Sequence, residues 1–413
     1  LRALAALPTT PDCAAAGACV LHFEKAVTVR PNGLTTRTAE KVFRLHDRRL
    51  RDVMKEFQLP YVPDEHRFVI EVAARVDADG QIHAPTTSGI AGPAGKQGGV
   101  YTLTQHHVVA FDDLQEGDTI ILRFRQEDIV AHNPFGDFFG DLHIFQHRIP
   151  TVVARFELRV PGTRPLHHHT RGVPPAVVHE DGDQVVYVWE GRDLPGIVVE
   201  PLMPGYAEVA ALVNVSTFAS YQEMHDWYAN LVRGQRTVSD AIRQTVAELV
   251  AGVADPRARL ARIYGWVVAN TRYVGLEFGI HGFKPYQVTQ VFTRGYGDCK
   301  DKSFLLVAML AEAGIEAFPA IVRTRNLGEI APAPPSLWAF NHVVVYVPEF
   351  DLWLDPTNEF AGTAELHPSD QGAMALIIRD GGVGAVTTTP VLPPAASLSH
   401  STTRVVLEPE GRG

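Results

Sequence analysis

Arg294-Gly-Tyr-Gly-Asp-Cys-Lys-Asp-Lys-Ser303 runs directly into Phe304-Leu-Leu-Val-Ala-Met-Leu-Ala-Glu-Ala-Gly314, and the reading of the chain turns on this stretch. A single cysteine, Cys299, stands between a glycine-rich turn and a continuous apolar run. The run predicts a buried helix, with Asp298 as N-cap, Cys299 as the first helical residue, Asp301 as the third and Gly314 just past the end. The amides of a helix N-terminus carry partial positive charge and favour an anion, so a thiol at that point is placed for use as a thiolate.

A cysteine nucleophile needs a base, and the base needs an orienting group. Downstream, Asn341-His-Val-Val-Val-Tyr-Val347 alternates as a strand with His342 near its start. Pro348-Glu-Phe-Asp351 reads as a turn and Leu352-Trp-Leu-Asp-Pro-Thr357 as the return strand. Paired as a hairpin, the two bring His342 and Asp355 together at the open end. His342 can then offer one ring nitrogen to Cys299 and the other to Asp355. Each residue also has a plainer explanation: an inert core thiol, a hydrogen-bonded core histidine, a turn-forming aspartate. Their occurrence together, each at an element edge, favours chemistry.

Outward from this segment, periodicity divides the chain into an α+β multidomain arrangement. Residues 1–19 carry little pattern and read as a linker. Over 20–204, short alternating runs at 21–29, 67–76, 106–111, 119–125, 151–160, 184–190 and 196–200 are bounded by Gly, Pro and Asp. They predict an N-terminal antiparallel β-sandwich-like domain. Over 205–380, helical periods at 221–232, 238–250 and 256–271 precede the Cys299 helix, and alternating runs follow at 316–322, 340–347, 352–354 and 373–378. That order predicts an α+β domain. Residues 381–413 read as a Gly/Pro/Thr-rich linker and the start of a truncated β region at 404–408.

The bulk properties bound the function. The chain is 46% hydrophobic and 20% charged, so each domain can build its own core. A net charge of −10 with no Lys/Arg run argues against a nucleic-acid partner. No apolar run reaches about 18 residues, so no segment reads as a membrane span. HExxH, paired CxxC and dinucleotide motifs are missing from the sequence, so no metal or cofactor is expected. His167-His-His169 is read as a solvated loop, because no second ligand cluster is near in sequence. Segment 89–97 is one residue too long for a phosphate loop and has Gln97 where Ser or Thr is needed; it is read as a mobile loop. The aromatic segment 133–145, with His132, Asp137 and Asp141 in or beside it, is read as a surface loop, with packing on another domain as the alternative. Cys13 and Cys19 are close enough to pair, which would leave Cys299 free; the spacing leaves two unpaired thiols equally open. A chain beginning at Leu1 reads as a processed or excised piece, with room for further domains upstream and downstream.

Gly297-Asp-Cys-Lys-Asp301, followed by Leu305-Leu306, Gly314-Ile-Glu-Ala317, Phe340-Asn-His342 and Trp353-Leu-Asp-Pro-Thr357, resembles the transglutaminase-like superfamily. It is most similar to bacterial proteins with a DUF3857-type β domain ahead of that core. Arg272-Tyr-Val-Gly-Leu-Glu-Phe-Gly279 with Gly282-Phe-Lys-Pro285 resembles the segment before the nucleophile in that subfamily. Leu114-Gln-Glu-Gly-Asp118 and the Trp189 strand resemble its β domain. The resemblance covers residues 20–380 and implies a papain-like core with Cys299 as nucleophile, His342 as base and Asp355 as orienting acid. It implies a thioester acyl-enzyme whose oxyanion is held by the Cys299 N–H and one further donor. Tyr273, Tyr286 and Gln287 are the candidates for that donor. The expected function is a thiol hydrolase, protease or amidase, acting on peptide, protein or other amide substrates. One alternative is an acyltransferase, whether transglutaminase, deamidase or amide-forming enzyme, using the same triad. A second is a non-catalytic envelope scaffold or binding protein, which the intact residue set disfavours. The cysteine pair and the habit of the family point to an extracytoplasmic bacterial protein, periplasmic or secreted.

Overall fold

The computed structural model describes residues 1–92, 100–330, 333–360, 362–397 and 400–406. The N-terminal part is β-rich. An eight-stranded sheet has Ala18–Val29 and Thr151–Pro161 side by side near its middle. Gln184–Leu194 and Val177–Asp181 extend it on one side; Thr35–Leu45, Thr119–Asp128, His66–Val76 and Ile82–His83 extend it on the other. Neighbours are antiparallel except the central pair, which runs parallel from Val20 opposite Thr151 to Thr28 opposite Arg159. A parallel pair cannot be closed by a tight turn, and half of the β-rich part forms its crossover.

Two three-stranded sheets cover the large one. The first, Gly140–Ile144, Leu212–Ser216 and His167–Arg171, contributes Val213 and Val215 to a core with Val27, Phe156, Leu158 and Trp189. The second, Glu56–Tyr61, Gln105–Ala110 and Thr87–Ala91, contributes Val109 to a core with Leu45, Ile120 and Leu122. Thr151–Pro161 shows why: Ala154, Phe156, Leu158 and Val160 are buried at every second position, as a strand covered on one face requires.

The α+β part follows. Helices Tyr221–Leu231, Asp240–Val250 and Pro256–Asn270 begin at Ser220, Ser239 and Asp255, whose side chains accept from backbone amides of the first turn. They and Val288–Arg294 surround Cys299–Glu312. That helix is buried from Cys299 through Leu310, the expected fate of a helix apolar on every side. On its other flank lies an antiparallel sheet in the order Leu352–Leu354, His342–Val347, Phe318–Arg323, Met374–Ile377, Val386–Thr388.

Several expectations need correction. Residues 1–17 are not a loose linker: Cys13 is joined to Cys19, and Leu4, Ala5 and Leu7 pack with Leu21, Val42 and Ile121. No strand forms over 196–200, where Val198 and Val199 are exposed. His167–His169 stand in a strand, not a loop, with His167 opposite Ser216. Leu212–Ser216 belongs to the β layers, which therefore run past residue 204. Val386–Thr388 is a strand of the core sheet, not linker. In the 89–97 stretch, Thr87–Ala91 forms a strand through its start and 93–97 lie outside the described residues. Residues 404–406 form no regular strand, and 407–408 lie outside the described residues.

Segment 133–145 packs on the α+β part, the alternative weighed above. Phe138 is buried there, stacked on Phe218 with centroids 4.4 Å apart. Phe135 meets Phe283 and Trp338 edge-on at 5.1 and 5.8 Å. Further contact comes from Val100–Tyr101, which pairs in parallel with Gly275–Leu276.

Candidate active site

The turn before Cys299 is fixed by charge. Asp301 N–H donates to Asp298 Oδ1 at 3.2 Å, and Asp298 N–H donates to Asp301 Oδ2 at 3.4 Å, forming a reciprocal capping box. Asp301 also accepts from Arg294 at 2.7 Å and from the Tyr286 N–H at 2.8 Å. Burial, then the charge of Asp298, pushes the Asp301 carboxyl up to about 6. Lys300 pairs with Asp298 inside the same turn. Gly297 leaves no room for a side chain, since a Cβ there would stand 2.5 Å from Asp301 Cβ.

Cys299 is the free cysteine. It lines a cleft of about 380 Å³ with Tyr228, Glu277, Phe283, Trp338 and His342. His342 opens its strand opposite Val322. Its Nε2 lies 3.4 Å from Asp355 Oδ2 and 3.9 Å from Asp370 Oδ2. Asp355 sits just beyond Leu352–Leu354, so the hairpin forms and its open end joins the two residues. Asp355 Oδ1 accepts from the Thr357 N–H at 2.9 Å and hydroxyl at 2.7 Å, which leaves Oδ2 for the imidazole. Tyr264 donates its hydroxyl to the Asp355 carbonyl at 2.9 Å.

Burial by itself would disfavour a charged His342. Hydrogen bonds to Asp355 and to Cys299, with the charges of both, outweigh it and hold the imidazolium well above its ordinary range. Asp355 feels the reciprocal effect: burial raises it, and His342 with Thr357 brings it below the usual carboxylate value. Asp370 behaves oppositely, raised first by burial, with the Asp355 charge adding to the rise. Nothing local in His367-Pro-Ser-Asp370 signals that role.

Of the three oxyanion candidates, the structure brings Tyr273 to Cys299. Tyr273 pairs with Gly297 across two short parallel strands, two residues before Cys299. It lines a second cleft of about 530 Å³ with Thr324, Asp355 and Phe360, which shares Asn341 and His342 with the first. Burial, and next the Cys299 charge, pushes its hydroxyl far up, so the phenol stays protonated. Tyr286 is turned elsewhere: its hydroxyl donates to the Leu276 carbonyl at 3.2 Å and its ring stacks on His281 at 3.8 Å. Gln287 stands at the N-cap position of Val288–Arg294, makes no side-chain cap bond and lines neither cleft. Tyr228, not singled out from sequence, is also in the cleft, where it donates to the Phe283 carbonyl at 3.0 Å.

Among the described residues, two groups have metal-ligating spacing: Cys13, Cys19 and His46, and His342, Asp355 and Asp370. The disulfide occupies the first. The His167–His169 histidines belong to neither.

The chain matches two family models in sequence order: DUF3857, a domain of unknown function, over residues 31–198, and the transglutaminase-like superfamily over 243–352. The second match contains Cys299 and His342; Asp355 lies just beyond it. No curated protein matches the chain significantly. Among solved structures, one described as a "putative protease" from Parabacteroides distasonis superposes with a TM-score of 0.75 at 18% identity, covering 91% of this chain and 72% of its own. At that identity the likeness is one of fold. A "putative cysteine protease" from Cytophaga hutchinsonii covers 54% of this chain and 79% of its own, at 12% identity and a TM-score of 0.25. An M1 zinc metallopeptidase from Deinococcus radiodurans covers 61% of this chain and 54% of its own, at 12% identity and a TM-score of 0.29. Both are too loosely similar to bear on this chain.

Proposed function

The chain joins a DUF3857 domain to a transglutaminase-like core, and on that premise we propose that it is a thiol hydrolase of peptide or other amide bonds. The observation that carries the proposal is the cleft that holds Cys299 and His342 together, with His342 Nε2 3.4 Å from Asp355 Oδ2. Asp355 occupies Nε2, so Nδ1 is the nitrogen left for the thiol proton. Cys299 Sγ attacks the carbonyl carbon and the oxygen becomes an oxyanion, which the Cys299 N–H and the Tyr273 hydroxyl receive. The C–N bond breaks as His342 passes its proton to the departing nitrogen, leaving a thioester on Cys299. Water then attacks the thioester, giving one proton to His342; the carboxylic acid leaves and the thiol is restored.

Hydrolysis is favoured by the second cleft, whose walls beside His342 include Thr324, Asn341, Asn358 and Ser369. Those groups offer water hydrogen-bonding partners next to the base. The joined Cys13–Cys19 pair supports residence in an oxidising, extracytoplasmic compartment.

The test is an acyl-enzyme trap. The protein is mixed with p-nitrophenyl acetate and the Cys299 peptide weighed by mass spectrometry over time. A transient acetyl adduct that decays in water alone is the expected result. An adduct that persists until a primary amine is added would assign the site to acyl transfer. No adduct on Cys299 would remove the proposal.

A further inference from the structure

A cavity of about 490 Å³ lies between the β-rich part and the core. Two features of its wall point to a particular occupant. The first is aromatic. Trp338 lines both this cavity and the Cys299 cleft, and the residue is 49% exposed. Phe135, from the β-rich part, lines the cavity; Phe283, from the core, lines the Cys299 cleft; Trp338 meets both edge-on, at 5.8 and 5.1 Å. An aromatic surface therefore continues from the nucleophile's cleft into the cavity.

The second feature is an acid without a counter-charge. Glu65 lines the cavity beside Gly279, where even an added Cβ would stand only 3.7 Å from Glu65 Oε1. Among the described residues, no cation pairs with its carboxylate: Arg37 and His66, which also line the cavity, pair with Asp128 instead, and Asp64 adds a further negative charge beside it. Burial, then those two acids, raises it above the usual carboxylate value. Asp128, the other acid of the wall, is already served by Thr35, His66 and Arg37. An unpaired carboxylate next to exposed aromatic faces suits a cation on an apolar stem, which can lie along the rings and present its charge to the acid.

We propose that this cavity is a specificity subsite for a basic side chain, lysine or arginine, of the polypeptide whose carbonyl reaches Cys299. The proposal rests on Cys299 being the nucleophile, and it gives the β-rich part a share in choosing the substrate.

Chloroacetyl peptides test it without a known substrate. Each carries the electrophile at one end, an alanine spacer of graded length, and a terminal lysine, norleucine or glutamate amide. At the spacer length that spans the two sites, the lysine probe should alkylate Cys299 about tenfold faster than the norleucine probe, with the glutamate probe slowest. Glu65→Gln should remove the lysine preference, and Glu65→Lys should turn it toward glutamate. Plain iodoacetamide should label all three proteins at one rate, which also reports that the variants are folded. Equal rates for all three tails at every spacer length would overturn the subsite, as would a lysine preference that survives in Glu65→Gln. If iodoacetamide itself fails to label native Cys299, the nucleophile assignment falls instead, so the two failures are distinct.

Discussion

Asp355→Asn isolates the charge of Asp355 from its structural work. Asn keeps an Oδ1 acceptor for the Thr357 N–H and hydroxyl, so the turn at 355–357 retains its bonds. What changes is the atom facing His342 Nε2. An amide NH₂ replaces a carboxylate oxygen, and it is a donor. To accept from it, the imidazole must carry its proton on Nδ1, toward Cys299, where it cannot take up a thiol proton. The proposed pair of Cys299 thiolate and His342 imidazolium thereby loses a nearly buried, charge-assisted bond, which contributes about 1.5–3 kcal/mol. That range corresponds to a ten- to more than hundredfold fall in the ion-pair population.

The assay is the rate of Cys299 alkylation by iodoacetamide across pH. The variant should be slower by roughly that factor at mildly acidic to neutral pH. The gap should close toward alkaline pH, where a thiol ionises without help from a base. Thermal unfolding gives a second readout. Asp355's contribution is present above its ordinary 3.8 and lost as pH falls through its lower native value. The contribution of His342 is present below its ordinary 6.5 and lost as pH rises through its higher native value. Both operate between those limits, so the stability deficit of Asp355→Asn should be greatest there. Identical alkylation profiles would refute the reasoning and leave Asp355 a turn former. So would a deficit constant at every pH, which marks general damage.

Other outcomes follow from the same geometry. Tyr273→Phe should slow acetylation of Cys299 by p-nitrophenyl acetate about a hundredfold while leaving iodoacetamide alkylation unchanged, because only the former develops an oxyanion; parallel losses in both reactions would show that Tyr273 merely packs. Gly297→Ala sets a methyl 2.5 Å from Asp301 Cβ and should cost about 1–3 kcal/mol, seen as a lowered melting temperature; an unchanged melting temperature would mean that the turn has slack. Alkylation under denaturing conditions without reductant should modify Cys299 alone, and all three cysteines after reduction, counted by intact mass.

The parts of the site that were legible in sequence are those specified locally. Asp298 and Asp301 three residues apart, ahead of an apolar run, carry the whole capping box, so the position of Cys299 could be read directly. His342 and Asp355 are joined by a turn of a few residues between alternating runs, so their meeting needed no distant information. The rest depends on pairings that leave no local trace. Tyr273 is distinguished from Tyr286 and Gln287 by strands of two residues each, too short to show a period. Asp370 is carried to His342 because Met374–Ile377 pairs with Phe318–Arg323. His167–Arg171 holds three histidines and lacks the usual apolar alternation; its strand state is imposed by Leu212–Ser216, some forty residues on. Segment 196–200 shows the converse, an alternating run that finds no partner and stays exposed.

The β-rich part is more than a neighbour of the core, because it holds two walls of the Cys299 cleft. Glu277 lines that cleft, and its backbone N–H donates to the Tyr101 carbonyl at 3.1 Å, at the end of the parallel pairing with Val100–Tyr101. Trp338 lines it from another side and is braced by Phe135. Cys299, His342 and Asp355, by contrast, rest on the core's own helix and sheet. The three residues of the proposed triad therefore sit on elements fixed within one part, while Glu277 and Trp338, which line the rest of the cleft, are held across the junction. A change in the β-rich part at Phe135 should accordingly alter which acyl groups reach Cys299 while leaving the reactivity of the thiol as it is.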